Sequence, residues 1–174
     1  MSNSFGPNLF RHQVTSALVI LLVLASARGA TAQQNAVREA DQLHARATAL
    51  QANRSRLVSA ARLYLREAEV RGVADPQTVK SLNVAAHLLY YANRRGEARR
   101  VMERAAETAL GQGDVGVAAL TYVLVAWMAQ ADQQADEVRR LAQRAEVLAS
   151  SPLVAATERI SIMSRLSRTA ISTR

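Results

Sequence analysis

Helix-breaking residues interrupt the chain at regular intervals, and this spacing constrains the fold more than any other feature of the sequence. The breakers fall at residues 51–55, 71–76, 92–96, 111–114, 130–134 and 149–152. Between them lie alanine-rich segments in which apolar residues recur every three or four positions, as on one face of an α-helix. Small apolar faces let neighbouring helices approach closely. The sequence therefore predicts an all-α fold made of successive short amphipathic helices.

One of these segments, Val115 to Ala131, contains no charged residue. A helix that is apolar on all sides either spans a membrane or lies at the centre of a helical stack. The segment has fewer than the ~20 apolar residues that a membrane span needs, and it includes Thr121 and Gln130. We interpret it as a buried central helix, with a membrane span as the alternative.

The N-terminal residues have the pattern of a secretory signal. Arg11 precedes an apolar run over residues 14–27, and Ala-Thr-Ala follows at 30–32. A basic start, a short apolar core and an A-x-A site predict that residues 1–32 are a signal peptide, cleaved after Ala32. The remaining chain, residues 33–174, has the size of one domain and is expected to be periplasmic or secreted. The alternative is an uncleaved membrane anchor.

Composition removes several classes of function. The formal net charge of +8 is spread along the chain, so charge alone does not indicate a nucleic-acid surface. Nearly all of the basic residues are arginine, which indicates a compositional bias and not a selected guanidinium chemistry. The chain has no cysteine, so disulfides and thiol chemistry are excluded. His44 and His87 lie in different segments with no cluster of acids between them, so no metal site is expected. Because no catalytic or cofactor motif is present, we expect a protein that is not an enzyme and holds no cofactor.

The helical segments pair at a fixed spacing. Ala61, Ala98 and Ala135 lie 37 residues apart, and another alanine follows each of them seven positions later. Helix pairs at a fixed period are typical of solenoids, in which each unit buries its apolar face against the next. In this register Arg139 of the third unit stands where Met102 stands in the second.

The stretch "LNVAAHLLYYANRRGEARRVMERAAE", residues 82–107, resembles a tetratricopeptide repeat. The residues that match the small and large apolar positions of its two helices are Leu82, Ala85, Ala86, Ala98, Met102 and Ala105. Asn93 replaces the usual turn glycine, and asparagine tolerates the left-handed backbone conformation that such a turn requires.

The resemblance implies a short right-handed α-solenoid of about three antiparallel helix pairs. The expected units cover residues 34–72, 76–111 and 113–150, and a C-terminal capping helix covers 152–171. All of them belong to the single domain over 33–174.

The resemblance also implies a concave groove, lined by the first helix of each unit, that receives a peptide or a segment of a protein. The expected groove residues are Lys80, Asn83, His87, Tyr90, Tyr91 and Trp127. A cation, an amide, an imidazole and amphipathic rings suit such contacts. The alternative is that the tyrosines wedge between repeats and that His87 is merely exposed. Around Trp127, the third-unit residues Leu120, Leu124 and Met128 form either core or a hydrophobic pocket for a partner.

Two groups of arginines remain. In residues 93–107, Arg100 and Arg104 alternate with acids and indicate a solvated helix face. Arg94 and Arg95 lie in the turn over 92–96, which contains no acid, so with Arg99 they are candidates for contact with an anion. The C-terminal helix is also basic, which fits either a solvent-exposed cap or docking on an anionic membrane.

These features lead to one expected function. The chain is an exported, non-enzymatic helical-repeat protein that binds a peptide, a protein or a second copy of itself through the groove. The alternative is a membrane-associated scaffold that keeps its N-terminal helix as an anchor.

Overall fold

The computed structural model describes residues 31–171, with side chains to Arg168. Within this range the regular structure is helical and includes no strand, which confirms the predicted all-α class. The predicted signal segment 1–32 lies outside the described residues, except for its last two. The chain divides into two compact units, residues 1–38 and 39–174, and residues 31–38 of the first are helical.

The second unit consists of seven helical segments and one 3-10 turn within its described residues. Residues 39–51 form α1, and the turn Arg54–Arg56 follows. The remaining helices are α2 (Leu57–Arg71), α3 (Pro76–Tyr91), α4 (Arg95–Gly111), α5 (Val115–Ala131), α6 (Ala135–Ala149) and α7 (Ala156–Ile171). From α2 to α6 each helix packs on the next, and α7 packs on both α5 and α6. Short connections between successive helices make these neighbours antiparallel.

The same turn joins α3 to α4, α4 to α5 and α5 to α6. Each turn has one residue with a left-handed backbone: Asn93 (φ 61°), Gly113 (φ 79°) and Gln133 (φ 58°). At the first turn the N–H of Arg94 donates to the carbonyl of Leu89 at 2.8 Å, and equivalent bonds close the other two. This is the Schellman arrangement that ends many helices. The left-handed conformation predicted for Asn93 is confirmed.

The buried positions of α4, α5 and α6 follow the turns at intervals of 20 residues. Ala98, Ala118 and Val138 are buried at equivalent places in the three helices. Ala135 is exposed. The 37-residue spacing therefore fails at its third member, because a helix and its turn occupy 20 residues here and Val138 takes the place expected for Ala135.

The placement of Arg139 where Met102 stands in the second unit fails for the same reason. Arg139 is exposed, whereas Met102, its expected counterpart in α4, is fully buried. In the 20-residue register the counterpart of Met102 is Tyr122 in α5 and Ala142 in α6. Tyr122 is buried and Ala142 is half-buried. The interior position is thus filled by an apolar residue or a ring in each helix.

Helix α5 is buried around most of its circumference, as its charge-free sequence predicts. It packs against α4, α6 and α7, and Met128 is fully buried within it. Leu120 and Leu124 are half-buried, and Trp127 is 47% exposed. Among residues 31–171 no helix is both long and apolar enough to cross a membrane.

A buried ion pair that the sequence did not reveal joins α1 to α2. The carboxylate of Glu67 is fully buried and accepts hydrogen bonds from Arg71 Nε at 2.8 Å and His44 Nδ1 at 3.0 Å. Arg71 also donates to Asp41 at 2.7 Å and Asp75 at 3.3 Å. Burial by itself lowers the pKa of Arg71, but the hydrogen bonds to Glu67, Asp41 and Asp75 outweigh burial and raise the pKa. Arg71 therefore stays charged and holds three acids together.

The left-handed turn residues predict that two substitutions change the free energy of unfolding in opposite directions. Gln133→Gly should raise the free energy of unfolding by about 0.5–1 kcal/mol, because glycine adopts positive φ without the strain that a side chain incurs. Gly113→Ala should lower it by about the same amount, although the added methyl would have no atom within 4 Å to clash with. Urea unfolding followed by circular dichroism measures both, and a loss of stability in Gln133→Gly would contradict the turn.

The buried ion pair generates a second prediction. Arg71→Met should lower the free energy of unfolding by about 3–5 kcal/mol, because it leaves the Glu67 carboxylate buried without its cation. Arg66→Met on the same helix is the matched control. Arg66 pairs with Glu69, and both side chains are at least half exposed, so this change should cost less than about 1 kcal/mol. Equal losses in the two variants by urea unfolding would refute a special role for the buried pair.

Candidate functional site

A cavity of about 740 Å³ lies among α3, α5 and α7. Helix α3 contributes His87 and Tyr91 to it, and α7 contributes Arg165 and Arg168. The residues from α5 are Val123, Leu124, Trp127, Gln130 and Ala131. We call this cavity the α3–α5–α7 groove.

The aromatic side of the groove is a chain of three rings. Tyr91 is 68% exposed and Trp127 is 47% exposed. Tyr90 lies behind them, with its ring centroid 5.2 Å from that of Trp127 and 6.0 Å from that of Tyr91. These distances are typical of stabilising aromatic pairs. Tyr90 thus supports two rings that stay open to solvent.

His87 is oriented by its own helix. Its Nδ1 lies 2.8 Å from the backbone carbonyl of Asn83. A carbonyl oxygen can only accept, so Nδ1 carries a proton, and in the neutral ring Nε2 is the acceptor. The imidazole therefore presents a fixed orientation to the groove.

The structure brings together some of the predicted groove residues and not others. His87, Tyr91 and Trp127 line the groove, and Tyr90 supports Trp127. Asn83 lies one turn before His87, and Lys80 is exposed one turn earlier still; neither lines the groove. The Oδ1 of Asn83 is buried and has no hydrogen-bond partner within the described part of the chain.

The two arginines of α7 are the charged groove residues that the sequence did not predict. Arg165 and Arg168 were expected on a basic helix, either in solvent or on a membrane. The Nε of Arg168 donates to the carbonyl of Ser164 at 3.3 Å, which holds that side chain along α7. Their spacing of three residues placed both on one side of the helix. Only the packing of α7 on α5 shows that this side borders the groove.

The arginines of the α3–α4 turn do have acidic partners, contrary to the expectation for Arg94 and Arg95. Arg94 forms an ion pair with Glu97. Arg95 lies 3.0 Å from the carboxylate of Asp132, which also lies 3.7 Å from Arg99. Asp132 belongs to the α5–α6 turn and is distant in sequence, so local spacing could not reveal it. Carboxylates of the chain already occupy the place where an external anion was expected.

The remaining arginines of α4 lie in solvent, as predicted. Arg100, Arg104 and Glu107 are exposed, and Glu103 lies 3.8 Å from Arg140 of α6. Hydrogen bonding to Arg140 lowers the pKa of Glu137, although partial burial opposes the shift. This face is a network of exposed ion pairs, each of which contributes little to stability.

The two histidines lie in separate environments. His44 packs edge-on against Tyr64, with ring centroids 5.4 Å apart, and bonds to Glu67 between α1 and α2. His87 lies in the groove. Among the described residues no group of three or more histidines and acids is placed to hold a metal ion.

The described residues thus define an all-α chain with one aromatic and cationic groove among its third, fifth and seventh helices. No protein-family profile matches the chain, and neither a curated protein nor a solved structure is detectably similar to it. The resemblance to tetratricopeptide repeats remains a prediction from the residues, and any assignment of function rests on the groove itself.

Proposed function

We propose that this chain is an exported, non-enzymatic helical-repeat protein whose α3–α5–α7 groove binds a segment of a protein partner. In this proposal the helices form a short right-handed solenoid of the tetratricopeptide kind. The pairs α1–α2, α3–α4 and α5–α6 correspond to the units over 34–72, 76–111 and 113–150, and α7 is the cap. The recurring turns and the packing of each helix on the next support this architecture.

The observation that carries the proposal is the exposure of Trp127 and Tyr91 beside a large cavity. Burying a large ring is favourable because it removes apolar area from water, and tryptophan and tyrosine are enriched among the residues that dominate binding energy. Here the fold leaves both rings in solvent although most of α5 is buried. Tyr90 holds Trp127 in place, so little conformational entropy is lost when a partner covers the ring.

The shape of the groove favours a segment of a protein over a small molecule. Its walls come from three separate helices, and the exposed tyrosine lies at the end of α3. Pockets for drug-sized ligands enclose most of the ligand surface, whereas here two large rings stay open to solvent. An extended chain that lies along the groove can contact both rings at once.

Peptide selection tests the binding proposal. We expect random peptides displayed on phage to yield binders on the immobilised chain, residues 33–174, and Trp127→Ala should weaken them by about 30-fold, the effect of a central hot-spot residue. Val147→Ala is the matched control, because Val147 is an apolar residue of α6 that is 67% exposed away from the groove. Failure to recover any peptide that depends on Trp127 would refute the proposal.

Trp127 also provides the measurement, because it is the single tryptophan of the chain. A bound peptide should shift its fluorescence emission to shorter wavelength and protect it from quenching by acrylamide. His87→Ala and Tyr91→Ala should each weaken binding, since both residues line the groove. Peptide binding without any change at Trp127 would place the contact elsewhere on the surface.

Export is a separate part of the proposal and has its own test. Cleavage after Ala32 should give a protein with Gln33 at its N-terminus in the periplasmic or secreted fraction. Mass spectrometry of the protein purified from each cell fraction measures this directly. An intact chain that starts at Met1 in the membrane fraction would instead support the scaffold with an uncleaved anchor.

A further inference from the structure

We infer that the α3–α5–α7 groove selects a segment in which an apolar side chain is flanked by aspartate or glutamate. This inference rests on the proposed function, since it specifies which protein segment that groove binds. It is carried by the placement of Arg165 and Arg168 opposite an apolar wall.

The described residues that line the groove have charge of one sign only. Arg165 and Arg168 are the charged residues among them, and no aspartate or glutamate of the described chain lines the groove. A cleft lined with one sign of charge attracts ligands of the opposite sign. Arginine suits this task, because its planar guanidinium donates two parallel hydrogen bonds to one carboxylate.

The closest acid in sequence to the groove is engaged on another side. Asp132 directly follows Ala131, the last residue of α5 in the lining. Its carboxylate pairs with Arg95 at 3.0 Å and lies 3.7 Å from Arg99, both on α4. Asp132 is therefore held toward α4, and the potential within the groove is governed by the arginines of α7.

The apolar wall faces these arginines. Val123, Leu124 and Trp127 lie along α5 within about one helical turn, so they present one contiguous apolar surface. A segment that fits both sides places an apolar side chain on Leu124 and Trp127 and turns its carboxylates toward α7. A purely acidic segment would leave the ring of Trp127 exposed to solvent, and a purely apolar one would bring no carboxylate to the arginines.

The arginines have one other physical explanation. Helices α3 and α5 both end beside the groove, at Tyr91 and Ala131. Helix C-termini carry partial negative charge, which nearby cations stabilise. If Arg165 and Arg168 served only this purpose, replacing them would destabilise the fold and leave the choice of peptide unchanged.

Three matched peptides test the inference. Each is a nine-residue synthetic peptide with a central leucine, flanked on both sides by glutamate, by glutamine or by lysine, and binding is followed by acrylamide quenching of Trp127. The glutamate peptide should bind roughly tenfold more tightly than the glutamine peptide, and the lysine peptide more weakly than either. Raising the salt concentration from 50 to 500 mM should remove most of the difference, because the arginines are exposed.

Variants then locate the selectivity. Arg165→Gln combined with Arg168→Gln should abolish the preference for glutamate while binding of the glutamine peptide changes little. The control is Arg104→Gln with Arg139→Gln, which removes the same charge from exposed positions of α4 and α6 outside the groove and should keep the preference. Thermal melting of both double variants confirms that they are folded.

The outcomes separate the inference from the function on which it rests. Equal binding of the three peptides would overturn the inference and leave the groove as a peptide site. Equal binding of a glutamate peptide in which glycine replaces the central leucine would also overturn it, because charge alone would then suffice. Binding to vesicles that contain phosphatidylglycerol, but to none of the peptides, would point to a membrane surface instead. If neither these peptides nor any selected one protects Trp127, the proposed function itself fails.

Discussion

Close packing of helices across alanine is the interaction on which the rest of this structure depends. Ala98, Ala105 and Ala109 of α4 are fully buried, and so are the residues at equivalent places in α5 and α6, which are alanine except for Val125 and the nearly fully buried Val138. The distance between two packed helices is set by the side chains at their contact, so alanine brings the backbones near the lower end of the usual ~8–10 Å range. Such an interface gains little apolar area per residue. The stability of such an interface therefore depends on its length, and the turns must position each helix in the correct register.

This packing also determines where the large side chains lie. Interfaces lined with alanine have little room for rings, and α5 accommodates Tyr122 and Met128 in its interior while Trp127 remains outside. Tyr90 and Tyr91 are displaced in the same way at the end of α3, one half-buried and one exposed. The aromatic side of the groove thus follows from the same restriction that builds the core. Its exposed rings are available to a partner because the helices approach too closely to enclose them.

Much of the fold was predictable because its determinants are local in sequence. The breakers located the turns, and Asn93 gave the left-handed turn residue. The apolar stripes gave most of the buried positions of α2 to α6 but not those of α7, where Ile160 and Met163 are exposed and Ile162 and Leu166 are buried. Contacts between distant residues were not predictable. Asp132 pairs with Arg95 across two turns, and Glu67 is buried against His44 of another helix. The predicted alignment of α6 was wrong for a similar reason. Ala61 and Ala98 are 37 residues apart, but α4, α5 and α6 follow one another at intervals of 20 residues, so the 37-residue spacing does not continue into α6.

The groove shows the same division between local and distant determinants. The resemblance to a tetratricopeptide repeat implied a groove at His87, Tyr91 and Trp127, and on α3 it selected a stripe of residues three or four apart, which share a helix face. The same stripe included Lys80 and Asn83, which lie nearer the start of α3 and do not line the groove. Periodicity shows which face of a helix is used, but not the position along that face where another helix closes the site. That position is set by α7, which packs on both α5 and α6 and brings its arginines to the groove. A basic helix is uninformative alone. Opposite Trp127 its arginines give the groove positive charge, and the proposed preference for acidic segments rests on that placement.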